Sequence, residues 1–253
     1  MRSIDLKISV ITAVFNRKDT VQQSLESIYA QSYSNIQSIV IDGNSTDGTL
    51  TILNYFRSKI DILIIESDDG IYDALNKGIG KASGDVIGFL HADDIFENNQ
   101  VIQKIAKAFE DPFIDAVYGD LVYVRHDNLE HIIRYWVSGN YEDVNLKRGW
   151  MPPHPTFYVR RSVYERLGGF ETRYRISADY DNILRFLAVG KIRLAYIPEV
   201  FVRMRAGGIS NRSLMTIICK SLEDFQVLQR NKVGGVCTLL LKNFRKINQL
   251  WQR

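Results

Sequence analysis

Cysteine occurs only twice in 253 residues, at Cys219 and Cys237. Neither has a second cysteine or a nearby histidine at metal-ligand spacing, so a disulfide framework and a zinc site are both excluded. The chain therefore reads as one that works in a reducing cytosol. The apolar N-terminal run, Ile8 to Phe15, is too short for a signal peptide with a cleavage site. No apolar stretch approaches the roughly 18 residues a membrane span needs, so the chain is expected not to cross a membrane. A Gly-Lys-Ser/Thr phosphate loop is missing, which excludes a P-loop ATPase. The turn after the first strand reads Val14-Phe-Asn-Arg17 rather than a glycine-rich fingerprint, which excludes a dinucleotide dehydrogenase. A sugar-nucleotide pyrophosphorylase would need a glycine-rich basic loop there, and only Arg17-Lys18 remains of it. The basic tail has no base-stacking module beside it, so nucleic acid is not an expected partner.

Hydrophobic residues make up 45% of the chain and charged residues 24%, ample for one large α/β domain. The charge is uneven. From Arg203 onward ten basic residues face only two acids, Glu223 and Asp224, a surplus of eight. Since the whole chain carries +3, the remainder carries −5. This arrangement suggests an acidic enzyme body with a basic, surface-binding end.

Apolar runs at Ile8–Phe15, Ile36–Ile41, Ile62–Ile65 and Val86–Leu90 alternate with helical spacing, and predict βαβ units with an open parallel sheet. Further strands are expected at Ala116–Val124, His131–Val137, Ile192–Ile197 and Val200–Met204, with helices at Arg161–Leu167, Tyr180–Val189 and Leu214–Gln229. The prolines around His154 predict a loop from Gly149 to Pro155. A last amphipathic helix, Val236 to Trp251, carries an apolar stripe flanked by Lys242, Arg245 and Lys246. It suits either an anionic membrane surface or packing on the domain.

Successive predicted strands end in aspartate: Asp42, then Asp68 and Asp69, then Asp93 and Asp94. Ligands of open α/β sheets bind beyond the carboxyl ends of the strands. Carboxylates gathered there repel unless a cation or a donor lies between them, and a sugar diphosphate with Mg²⁺ or Mn²⁺ supplies both. The competing role for such residues is capping helices and shaping turns, which weighs most for Asp47 and Asp69.

Ile11-Thr-Ala-Val-Phe-Asn-Arg17, Val40-Ile-Asp-Gly-Asn-Ser-Thr-Asp-Gly-Thr49, Glu66-Ser-Asp-Asp-Gly-Ile-Tyr-Asp-Ala-Leu-Asn-Lys-Gly78, Gly88-Phe-Leu-His-Ala-Asp-Asp94 and Ser177-Ala-Asp-Tyr-Asp181 follow one another along the chain. In this order they resemble the family 2 glycosyltransferases that assemble bacterial surface polysaccharides, including lipopolysaccharide. The resemblance implies a GT-A-type open, mostly parallel but mixed sheet with helices on both faces, plus C-terminal amphipathic helices. A transferase domain would span residues 1–210, with a nucleotide-sugar half at 1–112 and an acceptor half at 113–210, followed by a basic helical tail at 211–253.

The resemblance further implies inverting transfer of a hexosyl or N-acetylhexosaminyl group from a UDP-sugar to a lipid-linked saccharide. By position, Ala13 and Phe15 would line the base pocket, Asp42 and Asp68 would hold the base, and His91 would lie beside the nucleotide sugar. Asp93 would ligate Mg²⁺ or Mn²⁺, and Asp179, just ahead of the Tyr180 helix, would be the general base with Asp181 in reserve. His154, held by prolines, would touch the acceptor or else be a loop histidine bonded to backbone, and Trp150 would fill the core in preference to stacking on a sugar ring. The implied location is the cytoplasm, peripheral on the inner face of the plasma membrane. Two departures stand out. His91 opens the metal motif where Asp or Asn is usual, and Val202-Arg-Met-Arg205 replaces Tyr-Arg-x-His, which offers Arg205 to the diphosphate. These departures motivate the alternative of a degenerate, sugar-nucleotide-binding or scaffolding subunit.

Overall fold

The computed structural model describes residues 6–207 and 214–248. Nine strands form one sheet in the order β3-β2-β1-β4-β8-β6-β9-β5, with β7 added on β6. The first four are β1 (Ile8–Val14), β2 (Ile36–Asp42), β3 (Ile62–Ile65) and β4 (Val86–Phe89), all paired in parallel. Between them run α1 (Val21–Tyr29), α2 (Thr49–Tyr55) and α3 (Ile71–Lys81). β1, β2 and β4 are buried on both sides, which explains their unbroken apolar runs, while β3 at the sheet edge is half-buried.

The second half makes the sheet mixed. A two-residue strand, β5 (Ile95–Phe96), precedes α4 (Val101–Ala108), β6 (Ala116–Val124), β7 (Ile132–Trp136) and the short α5 (Asp143–Lys147). Then come β8 (Tyr158–Arg160), α6 (Arg161–Leu167), α7 (Ala178–Leu184) and β9 (Leu194–Arg205). β8 runs antiparallel to both β4 and β6, whereas β9 runs parallel to β6. Two apolar clusters cover the sheet's opposite faces, one built around α3, α7 and α8 (Leu214–Arg230), the other around α1, α2 and α4.

Two expectations are corrected. The strands foreseen at Ile192–Ile197 and Val200–Met204 are one, β9, whose pairing with β6 slips between Tyr196 and Val200. Pro198 lies in the slip; lacking an N–H, it is tolerated where the ladder is interrupted. The helix foreseen from Tyr180 starts at Ala178, so Asp179 stands inside its first turn, and Ser177 takes the capping position. Its last turn, Arg185–Val189, widens to a π-helix. The stretch around His154 is a loop as expected, closed by a 3₁₀ turn at His154–Thr156.

The C-terminal α9 (Val236–Asn248) packs on α8 and buries Thr238 and Lys242. Gly149, at φ +73°, makes room for it: a Cβ there would lie 2.6 Å from the Lys242 Cα. Arg212, Trp251 and Arg253 of the basic tail lie outside the described residues.

Gly88 on β4 faces Tyr158 of β8, and a Cβ at that glycine would lie 2.0 Å from the fully buried tyrosine ring. Gly88→Ala is therefore expected to lower the unfolding free energy by about 1–3 kcal/mol, read from the midpoint and slope of a urea titration. An unchanged midpoint would mean that the Tyr158 ring yields freely.

Candidate functional site

The site is built where β1 to β4 end. β1 and β2 are in register so that Ala13 pairs with Ile41, and Val14 with Asp42. Asp42 is fully buried, and both its oxygens are occupied by Ser45, one by the backbone N–H at 2.8 Å and one by the hydroxyl at 2.7 Å. Ser45 in turn accepts the N–H of Asn16, at positive φ, at 2.8 Å. This pins the β1 turn to the β2 turn. Asp47 accepts from the N–H groups of Thr49 and Lys18, a turn-forming role. Asp68 accepts the Gly70 N–H at 2.9 Å. Gly43 lets three elements meet: a Cβ there would stand 2.6 Å from Asp68 Oδ2 and 3.2 Å from Phe15 Cδ2. Phe15, Asp42 and Asp68 are thus neighbours, with the Phe15 ring exposed to solvent.

After β4 comes His91-Ala-Asp-Asp94. A cleft of about 140 Å³ opens here, lined by Asn16, Arg17, Asp93, His126 and Arg205 among others. Among the described residues the Asp93 carboxylate accepts no hydrogen bond; its close neighbour is the Arg17 guanidinium, at 3.8 Å. Arg205 is buried, donating to the Asp93 carbonyl and to Gln23 Oε1, while its backbone N–H reaches Asp94 Oδ1 at 3.3 Å. Asp94 Oδ2 is buried without a partner. Burial first, then the Asp93 charge, pushes the Asp94 carboxyl well above the usual carboxylate range.

Facing this is the first turn of α7. Asp179 Oδ1 accepts the Tyr180 N–H at 2.8 Å and the Tyr72 hydroxyl at 3.3 Å. Tyr72 also donates to the Ile176 carbonyl at 2.6 Å. Burial, with the Asp179 charge next, holds the Tyr72 hydroxyl well above its ordinary pKa, so it stays a donor. Asp181 points away, fully buried between Arg185 at 3.4 Å and Asn231 at 3.0 Å.

His91 and His154 lie between the two groups. His154 is not presented on a loop surface; its ring stacks 5.1 Å from Phe89 and sits 5.9 Å from His91. Its Nε2 and the His91 Nδ1 are buried and unpartnered. Burial lowers both imidazoles, His154 to about 4, against the pull of Asp179 on each and of Asp93 on His91. Trp150 fills the core as expected, donating to the Ser138 carbonyl at 2.7 Å.

Tyr72 and Arg17 are the site neighbours to which sequence reasoning gave no role. Tyr72 stood inside a quoted motif, Ile71-Tyr-Asp73, and its contact with Asp179 spans 107 positions that no local pattern links.

His154 is neutral when folded and ordinary when unfolded. Its folded pKa of about 4 lies below the reference 6.5, so protons favour the unfolded chain. Stability is then complete above about pH 6.5 and declines as pH falls toward 4, by up to about 3 kcal/mol for this group. His154→Phe is expected to flatten part of that decline in urea titrations across the window. An identical slope in wild type and variant would show that His154 is not its source.

A family model described as Glycosyl transferase family 2 matches residues 9–175. A "PGL/p-HBAD biosynthesis glycosyltransferase" of Mycobacterium bovis is 31% identical over 208 residues, 80% of this chain and 78% of the relative. An uncharacterized glycosyltransferase of Mycobacterium tuberculosis is 30% identical over 186 residues, 70% of this chain and 68% of that one. Staphylococcus aureus TarS 1-349 in complex with UDP-GlcNAc superposes with a TM-score of 0.70 at 17% identity, over 90% of this chain and 66% of TarS 1-349. The mannosyltransferase PcManGT from Pyrobaculum calidifontis, in complex with GDP-Man and Mn²⁺, gives a TM-score of 0.67 at 19% identity, over 97% of this chain and 71% of that one. The mixed sheet with helices on both faces is the GT-A fold of these neighbours. With well over half its length matched by the family model, the chain belongs to glycosyl transferase family 2.

Proposed function

We propose that this glycosyltransferase transfers a hexosyl or N-acetylhexosaminyl group from a UDP-sugar, with inversion, to a lipid-linked saccharide in surface-polysaccharide synthesis. The observation that carries the mechanism is His91, which feels the charges of both Asp93 and Asp179. The strand-end carboxylate and the helix carboxylate are both close enough to His91 to act on it, Asp93 from the rim of the cleft. In this reading Phe15 and Ala13 flank the base, Asp68 accepts from it, and Asp42 holds the pocket floor through Ser45. Arg17 and Arg205 add positive charge beside the diphosphate.

A divalent cation fits the donor set. Mg²⁺ commonly takes one or two carboxylates plus substrate phosphates, and among the described residues no hydrogen-bond donor occupies the Asp93 oxygens beside the cleft. When bound, Mg²⁺ or Mn²⁺ would neutralise charge on the leaving diphosphate. Asp179 would take the acceptor proton, held in orientation by Tyr72 and the Tyr180 N–H. His154, too buried for the acceptor contact expected of it, would support His91 from below.

The test is nucleotide diphosphate release from UDP-, GDP- and dTDP-sugars with Mn²⁺ or Mg²⁺ and a lipid-diphosphate sugar as acceptor. Asp179→Asn is expected to lose about 10²–10⁴ in rate while still binding nucleotide, and Asp93→Ala to lose both rate and metal response. Wild type that binds nucleotide but releases none across the panel favours a binding subunit instead.

The peripheral membrane reading rests on the outer face of α8 and α9. Ile218, Leu222, Leu240 and Phe244 are all exposed there, with Lys220 and Lys232 on the same hairpin. Both tail acids, Glu223 and Asp224, turn inward to the body. No helix among the described residues is long and apolar enough to cross a membrane. Such a surface suits the interface of an anionic bilayer, where the acceptor would be met from the cytoplasmic side. The intact protein is expected to sediment with phosphatidylglycerol-containing vesicles but not with phosphatidylcholine alone, and Leu240→Glu/Phe244→Glu to stay in solution. Wild type that stays in solution with both would remove the membrane reading.

A further inference from the structure

The approach to Asp179 is gripped by two helices that lie beyond the family match, which ends at residue 175. On α8, the Glu223 carboxylate accepts three successive backbone N–H groups, those of Arg175 at 3.0 Å, Ile176 at 2.9 Å and Ser177 at 2.9 Å. The next residue, Asp224, accepts the Ser177 hydroxyl at 2.8 Å and pairs with Lys242 of α9 at 2.8 Å. Both members of that pair are buried. The Lys242 ammonium also lies 3.2 Å from the centre of the Tyr180 ring, next to Asp179 in the chain.

We propose that Glu223, Asp224 and Lys242 are positioning residues for the reaction, clamping residues 175–177 so that Asp179 meets the acceptor hydroxyl. The proposal rests on Asp179 being the base. Three consecutive N–H groups on one carboxylate fix both the path and the rotation of the segment that enters α7. Tyr72 closes the other side by donating to the Ile176 carbonyl between them. Packing alone does not call for this arrangement. Val227 and Leu228 already bury α8 against the core, and a buried ion pair is a poor stabiliser compared with apolar side chains of the same size. What it supplies is a single geometry. A base must stand within hydrogen-bond reach of the proton it takes, and a displacement of about 1 Å in such a group can cost 10²-fold in rate.

Full-length Glu223→Gln, Asp224→Asn/Lys242→Met and Asp179→Asn are compared with wild type, with the exposed Gln226→Ala on α8 as control. The readouts are kcat, donor KM, nucleotide affinity and hydrogen exchange of residues 175–180. The clamp variants are expected to lose roughly ten- to a hundred-fold in kcat, with donor KM and nucleotide affinity within about two-fold of wild type. Exchange across residues 175–180 should rise, and Gln226→Ala should behave as wild type. Because the clamp acts through the base, Glu223→Gln/Asp179→Asn should be no slower than Asp179→Asn. If Glu223→Gln fails to fold, Lys242→Arg is read in its place, with a smaller kcat loss and the same unchanged KM. A crippled Asp179→Asn beside clamp variants of wild-type kcat overturns the clamp alone, as does a double variant whose losses multiply. A silent Asp179→Asn removes the base reading and the clamp with it.

Discussion

A carboxylate taken out of water loses several kcal/mol of hydration unless donors or a cation replace it. Asp42, Asp94, Asp181 and Asp224 are all at most 1% exposed. Each is resolved differently. Asp42 is closed by Ser45, Asp181 by Arg185 and Asn231, and Asp224 by Ser177 and Lys242. Asp94 alone has little, a long bond from the Arg205 N–H, and moves toward its protonated form. The carboxylates left with free oxygens at the cleft stand out against this background. Among the described residues the Asp93 carboxylate accepts no hydrogen bond, while Asp94, turned inward, engages the β9 backbone.

The strands and helices of the first half were legible because a parallel strand buried on both faces writes itself as a continuous apolar run. The five motifs also drew attention to Asp42, Asp68, Asp93 and Asp179, which lie at a strand end, in the turns after strands, or in a helix's first turn. The same pattern could not separate their roles. Asp42 and Asp93 look alike as strand-final aspartates, yet one has its oxygens occupied by a serine three residues on and the other does not. His154 misled for a related reason: prolines announce a rigid loop, but not that its ring will turn inward to stack on Phe89 and meet Phe170 edge-on. Contacts between distant segments, such as Tyr72 with Asp179, leave no trace in spacing at all.

The basic tail is the clearest case of composition saying less than geometry. Counted by charge it is a cationic appendage, but its two acids and one of its lysines are turned to the body, and what remains outward is apolar as well as basic. Lys242, which marked the flank of a surface stripe in the sequence, is among the buried charges, seated over Tyr180. Amphipathic periodicity identifies a helix with two unlike faces, and long side chains with buried stems do not reveal which face they serve.

The order of these parts along the chain has a consequence for biosynthesis. The four parallel strands β1 to β4 are all in place by Phe89, whereas Glu223 and Asp224 reach back 46 to 48 positions to residues 175–177, and Lys242 lies later still. Because a chain emerges from the ribosome N-terminus first, these four strands can pair while the segment leading to Asp179 still lacks its anchors. A nascent chain would then have its parallel sheet before residues 175–177 are held, and the docking of the last two helices would be a late step in folding.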